Sequence, residues 1–270
     1  MIVERIFNRL WTSYTAQNSQ ARQIYDLFIS EGENIVNDHI ALRTFNDVRT
    51  NIDVLAKLFI KEGFVQKGEY AFPEKHLTAR HYEHAEIKGL PRVFISQLET
   101  DSFSPFLIET VNSLIDKIPG SLLLSDELIF SGLQWSPISF KIYEKLLKES
   151  EYAAWLYVHG FRTNHFTVSV NHLNKYDTQE KVNQFLKDNQ FKLNEAGGEI
   201  KGTPAELLEQ SSTVSELIKV HFIEGVYEIP ACYYEFARRY PDLNGELYSG
   251  FIAKSADKIF ESTNFYSLIS

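Results

Sequence analysis

Two histidines head matching stretches of this chain, Asp38-His39-Ile40-Ala41-Leu42-Arg43 and Asn164-His165-Phe166-Thr167-Val168-Ser169. A neutral imidazole is a metal ligand, and two of them on separate strands could clamp one ion. Side chains on a strand alternate faces, so His39, Ala41 and Arg43 share one face, and His165, Thr167, Ser169 and Asn171 share another. Ile40, Leu42, Phe166, Val168 and Val170 then point the opposite way. Both stretches therefore read as strands with a polar side lining a cavity and an apolar side covered by helices.

A third ligand belongs on another strand facing the same cavity. Glu235, in Ala231-Cys232-Tyr233-Tyr234-Glu235-Phe236-Ala237-Arg238, is a carboxylate among aromatic residues, which is costly to bury unless paired or metal-bound. Two histidines and a carboxylate form the facial triad of non-haem Fe(II) oxygenases, although the same donors also suit Zn, Ni, Co or Mn. Plainer roles remain open on these residues alone. A strand histidine is commonly a hydrogen-bonded core residue, and Glu235 could pair with Arg238, Arg239 or Arg43. Arg43 could be a structural ion-pair partner or a bidentate clamp for a substrate carboxylate, which its planar fork suits. His159 could orient the second strand or support a ligand. His76, His81 and His84 cluster in sequence without a carboxylate at convincing spacing, His172 and His221 read as ordinary hydrogen-bonding residues, and Tyr82 and Tyr233 could face the cavity or the core.

The elements that must hold these residues repeat. Phe64 follows His39 by 25 positions and Phe191 follows His165 by 26, each after an amphipathic stretch, Asn51 to Glu62 and Thr178 to Asp188. The pattern predicts two copies of a strand–helix–returning-strands unit. In the first, strands are expected at His39 to Phe45, Phe64 to Tyr70, Thr78 to His84 and Arg92 to Gln97. In the second they are expected from Asn164, at Phe191 to Leu193, at Ile218 to Phe222 and at Tyr233 to Arg238. Helical spacing marks two N-terminal helices between Glu4 and Ser30 and a helical insertion between Ser102 and Tyr157. The organisation expected is α+β in a single metalloenzyme domain, 1–270. N-terminal helices occupy 1–36, a first βαβββ module 37–100, the insertion 101–160, and a second module with the C-terminal segment 161–270. Gly197-Gly198 and Gly202-Thr203-Pro204 punctuate a loop in the second module. Ala205 to Glu209 suggests a short helix that the polar run Gln210-Ser211-Ser212 could cap, or that run could meet the pocket.

Composition narrows the function classes. The chain has 270 residues, 44% apolar and 23% charged, which is ordinary for a folded protein with a sizeable core. A net charge of −9 offers no attraction for phosphate backbones or anionic lipid, and no apolar run approaches bilayer length. Neither nucleic acid nor a membrane is expected as a partner. With one cysteine, Cys232, no intramolecular disulfide can form, and a cytoplasmic location is the expectation.

Four stretches together carry a resemblance: Asp38 to Phe45, Tyr157-Val158-His159-Gly160-Phe161-Arg162-Thr163-Asn164-His165-Phe166-Thr167-Val168, Leu208-Glu209-Gln210-Ser211-Ser212-Thr213, and Ser255 to Ser262. In these the chain resembles the 2-oxoadipate dioxygenase/decarboxylases, also called 2-hydroxyglutarate synthases. That resemblance implies a fold of vicinal oxygen chelate type, a half-open barrel of two βαβββ modules around a metal site. It implies His39, His165 and Glu235 as Fe(II) ligands, Arg43 as the group binding the substrate's distal carboxylate, and Ser255 as a residue lining the same pocket. Gln210, Ser211, His159 and Thr167 would be further pocket or supporting residues. The chain is shorter than the better-known members and carries Lys254 where an apolar residue is expected. The reaction implied converts 2-oxoadipate and O2 to 2-hydroxyglutarate and CO2, in lysine catabolism, with a small 2-oxo acid and O2 as the partners. A redox-inactive divalent-metal lyase or isomerase on the same scaffold, and a non-catalytic small-ligand-binding protein, are the alternatives.

Overall fold

The computed structural model describes residues 2–260. Helices α1 (Ile2–Thr15) and α2 (Ser19–Ser30) lead into β1 (Asn37–Phe45), α3 (Ile52–Lys61), β2 (Phe64–Phe72), β3 (Leu77–His84) and β4 (Arg92–Leu98). A helical stretch follows, with α4 (Pro105–Asp116), the short α5 (Gly120–Leu123), α6 (Phe140–Leu147) and α7 (Glu151–His159). The chain then runs through β5 (Thr163–Ser169), α8 (Gln179–Asp188), β6 (Lys201–Thr203), β7 (Leu208–Ser212), β8 (Leu217–Phe222), β9 (Gly225–Pro230), β10 (Tyr233–Arg239) and α9 (Ala253–Phe260).

Eight of these strands form one sheet in the order β2-β3-β4-β1-β5-β10-β7-β6. Its two halves repeat one pairing scheme. The leading strand lies parallel to the last of its module, β1 to β4 and β5 to β10, and the two middle strands add antiparallel outside it. Antiparallel pairing of β1 with β5 joins the halves, setting Ala41 opposite His165 and His39 opposite Thr167. The βαβββ duplication expected from the spacing is thus realised as a curled half-barrel.

Local chemistry explains why the halves match. Asn51 caps α3 by accepting from the Val54 amide, and Thr178 caps α8 by accepting from the Lys181 amide. Each helix ends on a residue in the left-handed region, Gly63 at φ 97° and Gln190 at φ 67°, which turns the chain back toward the sheet. The outer face carries the alternate apolar residues of the central strands. Trp11 packs edge-on to Phe166 with ring centroids 5.0 Å apart, and Phe28 lies 4.7 Å from Phe185 and 6.1 Å from Phe236. The terminal helices and α8 therefore cover the second module, leaving the polar face turned inward.

Three expected elements differ. Phe191 to Leu193 is not a strand; only Leu193 makes a bridge, to Thr213, because the Gly197-Gly198 loop breaks the run and the return is made by β6 and β7. Ile218 to Phe222 does form a strand, β8, but it pairs only with β9 in a separate hairpin. Lys219 and His221 on it are exposed, so neither face is buried enough to join the main sheet. Instead of a helix over Ala205 to Glu209 there is a single 3-10 turn, Pro204–Glu206. Leu207, at φ 65°, ends it, and the polar run that follows belongs to β7.

Candidate metal centre

His39, His165 and Glu235 come together on the concave face of the sheet, with one ligand atom from each lying within 4.8 Å of the others. All three are buried. The two Nε2 atoms are 3.4 Å apart, His39 Nε2 is 3.5 Å from Glu235 Oε1, and His165 Nε2 is 3.2 Å from Glu235 Oε2. Ligands about 2.1 Å from a common ion stand roughly 3 Å apart when cis in an octahedron, so these separations suit one first-row cation.

The opposite nitrogen of each ring fixes this arrangement. His39 Nδ1 lies 2.8 Å from Asp38 Oδ1, and His165 Nδ1 lies 3.0 Å from Asn164 Oδ1. Each oxygen accepts the Nδ1 proton, which leaves both Nε2 lone pairs directed at the same point. Two lone pairs and a carboxylate converging in a buried space repel one another unless a cation lies between them. Titration properties follow the same logic. Burial pushes the Glu235 carboxyl up to about 8, against the hydrogen bond from Gln210. Burial also lowers both imidazoles, with the charge of His39 acting further on His165. The donor set therefore fits a divalent metal ion.

Asp38 is itself held by Arg239, whose Nε donates to Oδ2 at 2.7 Å and Nη2 to Oδ1 at 2.9 Å. Burial would raise the Asp38 carboxyl, but the charge of Arg239 and the hydrogen bonds from His39 and Arg239 hold it well below the usual carboxylate range. The same guanidinium donates from Nη1 to the Tyr248 and Gly250 carbonyls. This anchors the strap that brings Phe251 edge-on to His39, with ring centroids 4.8 Å apart.

Among the described residues, Glu235 forms no ion pair with an arginine. Its Oε1 accepts from Gln210 Nε2 at 2.6 Å. Thr167 Oγ1 lies 3.1 Å from His39 Nε2, beside the candidate ligands. Arg43 is buried on the same sheet face, its guanidinium carbon 4.9 Å from the Tyr152 ring centre and 5.0 Å from that of Trp155. Tyr233 stacks on His165 at 4.7 Å and lines the cavity. Tyr82 sits opposite Val93 on the other face of its strand, towards α3.

Other expected residues lie elsewhere. Ser211 faces away from the cavity, donating to Asn183 Oδ1 at 2.6 Å and accepting from Gln179 Nε2 at 2.6 Å, both on α8. Strand alternation demands this, since Gln210 and Ser211 cannot share a face. His159 is at the end of α7, its Nε2 3.0 Å from the Pro230 carbonyl, and does not reach the cluster. Gly160 turns the chain there at φ 64°, with the Gly132 carbonyl only 2.1 Å from where a Cβ would stand, so sequence proximity to His165 does not become spatial proximity. Ser255 is buried on α9, its Oγ 3.3 Å from the position of a Gly202 Cβ on β6 and one turn before Ile259, which lines the cavity. Lys254 is exposed. Glu261 and Ser262 lie outside the described residues.

The pairing register adds a site residue that spacing did not reveal. Two positions past His165, Thr167 pairs with Glu235, while two past His39, Ala41 pairs with Phe94. Phe94 thus occupies in the first module the place that Glu235 holds in the second, so the candidate centre gathers three donors, His39, His165 and Glu235. Asp38 and Asn164 were also missed, although the repeated Asx-His pair was visible. Phe251 and Ile259 complete the cavity, which has about 20 Å³ of space, room for little more than one water.

The model of the 2-oxoadipate dioxygenase/decarboxylase family matches residues 6–118 and 126–244. The chain belongs to this family. A rice protein named 2-oxoadipate dioxygenase/decarboxylase, chloroplastic/amyloplastic, is 37% identical over 93% of this chain and 76% of its own length. The crystal structure of rice hydroxyglutarate synthase in complex with 2-oxoadipate superposes with a TM-score of 0.91 at 33% identity, covering 98% of this chain and 93% of that one. A Shewanella frigidimarina structure, provisionally named a hydrolase, gives a TM-score of 0.88 at 47% identity over 93% and 98% of the two chains. Membership of the 2-oxoadipate dioxygenase/decarboxylase family agrees with a buried His-His-Glu centre on a duplicated half-barrel.

Proposed function

We propose that this chain is an Fe(II)-dependent dioxygenase/decarboxylase, acting as one metalloenzyme domain, that converts 2-oxoadipate and O2 to 2-hydroxyglutarate and CO2 in lysine breakdown. The observation that carries the reading is the convergence of His39, His165 and Glu235 in a member of this family. An Fe(II) ion held by these three residues would supply the electrons that activate O2 against the 2-oxo acid. The atoms balance: the C1 carboxylate leaves as CO2 with its own two oxygens, and the two oxygens of O2 are retained in the shortened acid, one in the new carboxylate at the former 2-oxo carbon and one in the hydroxyl.

The protein's own part is geometry and exclusion. Asp38 and Asn164 keep the imidazole protons on Nδ1, so both Nε2 atoms remain ligands. Gln210 holds the Glu235 carboxylate in orientation. Arg43 is the group for the substrate's distal carboxylate, fixed in place by the Tyr152 and Trp155 rings. Phe94 and Phe251 make the wall apolar, which excludes water and strengthens each charged contact inside.

The test is to load anaerobic apoprotein with Fe(II), add 2-oxoadipate, and admit O2. One 2-hydroxyglutarate and one CO2 formed per O2 consumed is the expected result. No oxygen uptake with iron bound at one per chain would overturn the substrate assignment.

A further inference from the structure

The Tyr233 hydroxyl is buried and has no hydrogen-bond partner among the described residues. Burying a phenol without a partner is unfavourable, and the great majority of such groups in folded proteins are satisfied. Its ring is nonetheless tightly placed, stacked on His165 with centroids 4.7 Å apart and planes at 28°. Tyr233 pairs with His165 in the parallel β5–β10 ladder, and Glu235 stands two residues further along the same face. Tyr233 is therefore part of the wall, between the candidate ligands and the part of the sheet that carries Arg43. The charges of Glu235, Arg43 and Glu151 all act on it. A hydroxyl so placed, near a buried guanidinium, is suited to donate to an anion that the guanidinium also binds.

We propose that Tyr233 is a substrate-binding residue, whose hydroxyl donates to the distal carboxylate held by Arg43 and so sets the preference for a dicarboxylic over a monocarboxylic 2-oxo acid. This rests on the function proposed above. The observations separate the two halves of the work. Arg43 supplies charge, whereas the hydroxyl supplies one directed donor at a fixed distance from the metal centre. Loss of a hydrogen bond to a charged group corresponds to roughly a ten- to hundredfold weakening.

The experiment compares wild type with Tyr233→Phe, both loaded with Fe(II). Anaerobic titration gives the dissociation constant for 2-oxoadipate and for 2-oxohexanoate, which has the same carbon count without the distal acid. Steady-state kinetics with O2 then give kcat and KM for each. The expected result is that Tyr233→Phe binds 2-oxoadipate about ten- to hundredfold more weakly while its affinity for 2-oxohexanoate and its iron content are unchanged. The selectivity ratio therefore collapses. Equal weakening for both acids would reduce Tyr233 to a packing role and overturn the proposal, as would unchanged affinity for both. If wild type binds neither acid, the proposed function and this assignment fall together. If wild type binds and turns over 2-oxoadipate while Tyr233→Phe keeps its selectivity, only the Tyr233 assignment falls.

Discussion

Arg239 clasps Asp38 through two hydrogen bonds of 2.7 and 2.9 Å, and Asp38 in turn accepts the Nδ1 proton of His39. The Nε2 of His39, which points at His165 and Glu235, is thus fixed from outside the candidate ligand set. Replacing Asp38 with Asn keeps the volume but leaves the buried Arg239 without its counter-charge. The expected outcome is a metal affinity lower by about 10- to 100-fold, with a stability loss of the order of 3 kcal/mol. Metal titration and urea unfolding check both, and an unchanged metal affinity would show that His39 needs no such support.

Removing a ligand separates metal binding from folding. His165→Ala and Glu235→Ala should each lose stoichiometric metal. Glu235→Gln should lose it too, yet be at least as stable as the wild-type apoprotein, because a buried carboxyl without its cation is replaced by a neutral amide. Metal analysis after reconstitution, with melting of the apo forms, tests this. Wild-type metal content in any of these variants removes that residue from the ligand set.

Arg43 lies between the Tyr152 and Trp155 rings and on the same strand face as His39. Arg43→Ala should retain metal while losing about 2–5 kcal/mol of transition-state stabilisation toward a dicarboxylic 2-oxo acid. Comparing kcat/KM of the two proteins reads the loss directly. Full activity would exclude the clamp.

His159 gives an acid-stability prediction outside the site. Burial, followed by the charge of Arg162, lowers its imidazole to about 3. Since the folded value lies below the unfolded one of about 6.5, the unfolded chain takes up the proton first. Its contribution is complete above pH 6.5 and is lost as pH falls from there towards 3. The slope approaches about 1.4 kcal/mol per pH unit within that window. His159→Gln keeps a donor for the Pro230 carbonyl and should show a shallower decline over the same range in urea unfolding. Parallel slopes for the two proteins would rule out this contribution.

The sequence by itself determined the duplicated architecture, because strand alternation at His39 and His165 and the two amphipathic helices are local patterns whose period sets which face is buried. The same alternation put His39, Arg43, His165 and Thr167 on the inward face, where the structure has them. It also parts the neighbours Gln210 and Ser211, one to Glu235 and the other to α8. What only the tertiary structure decided are the relations between distant segments. Asp38 with Arg239, the Phe251 strap against His39, the seating of His159 on Pro230, the exclusion of β8 from the main sheet, and Phe94 in the place matching Glu235 depend on register across strands far apart in the chain. No local pattern encodes register between β1 and β4 or between β5 and β10, because it is set by packing the two modules onto a shared core.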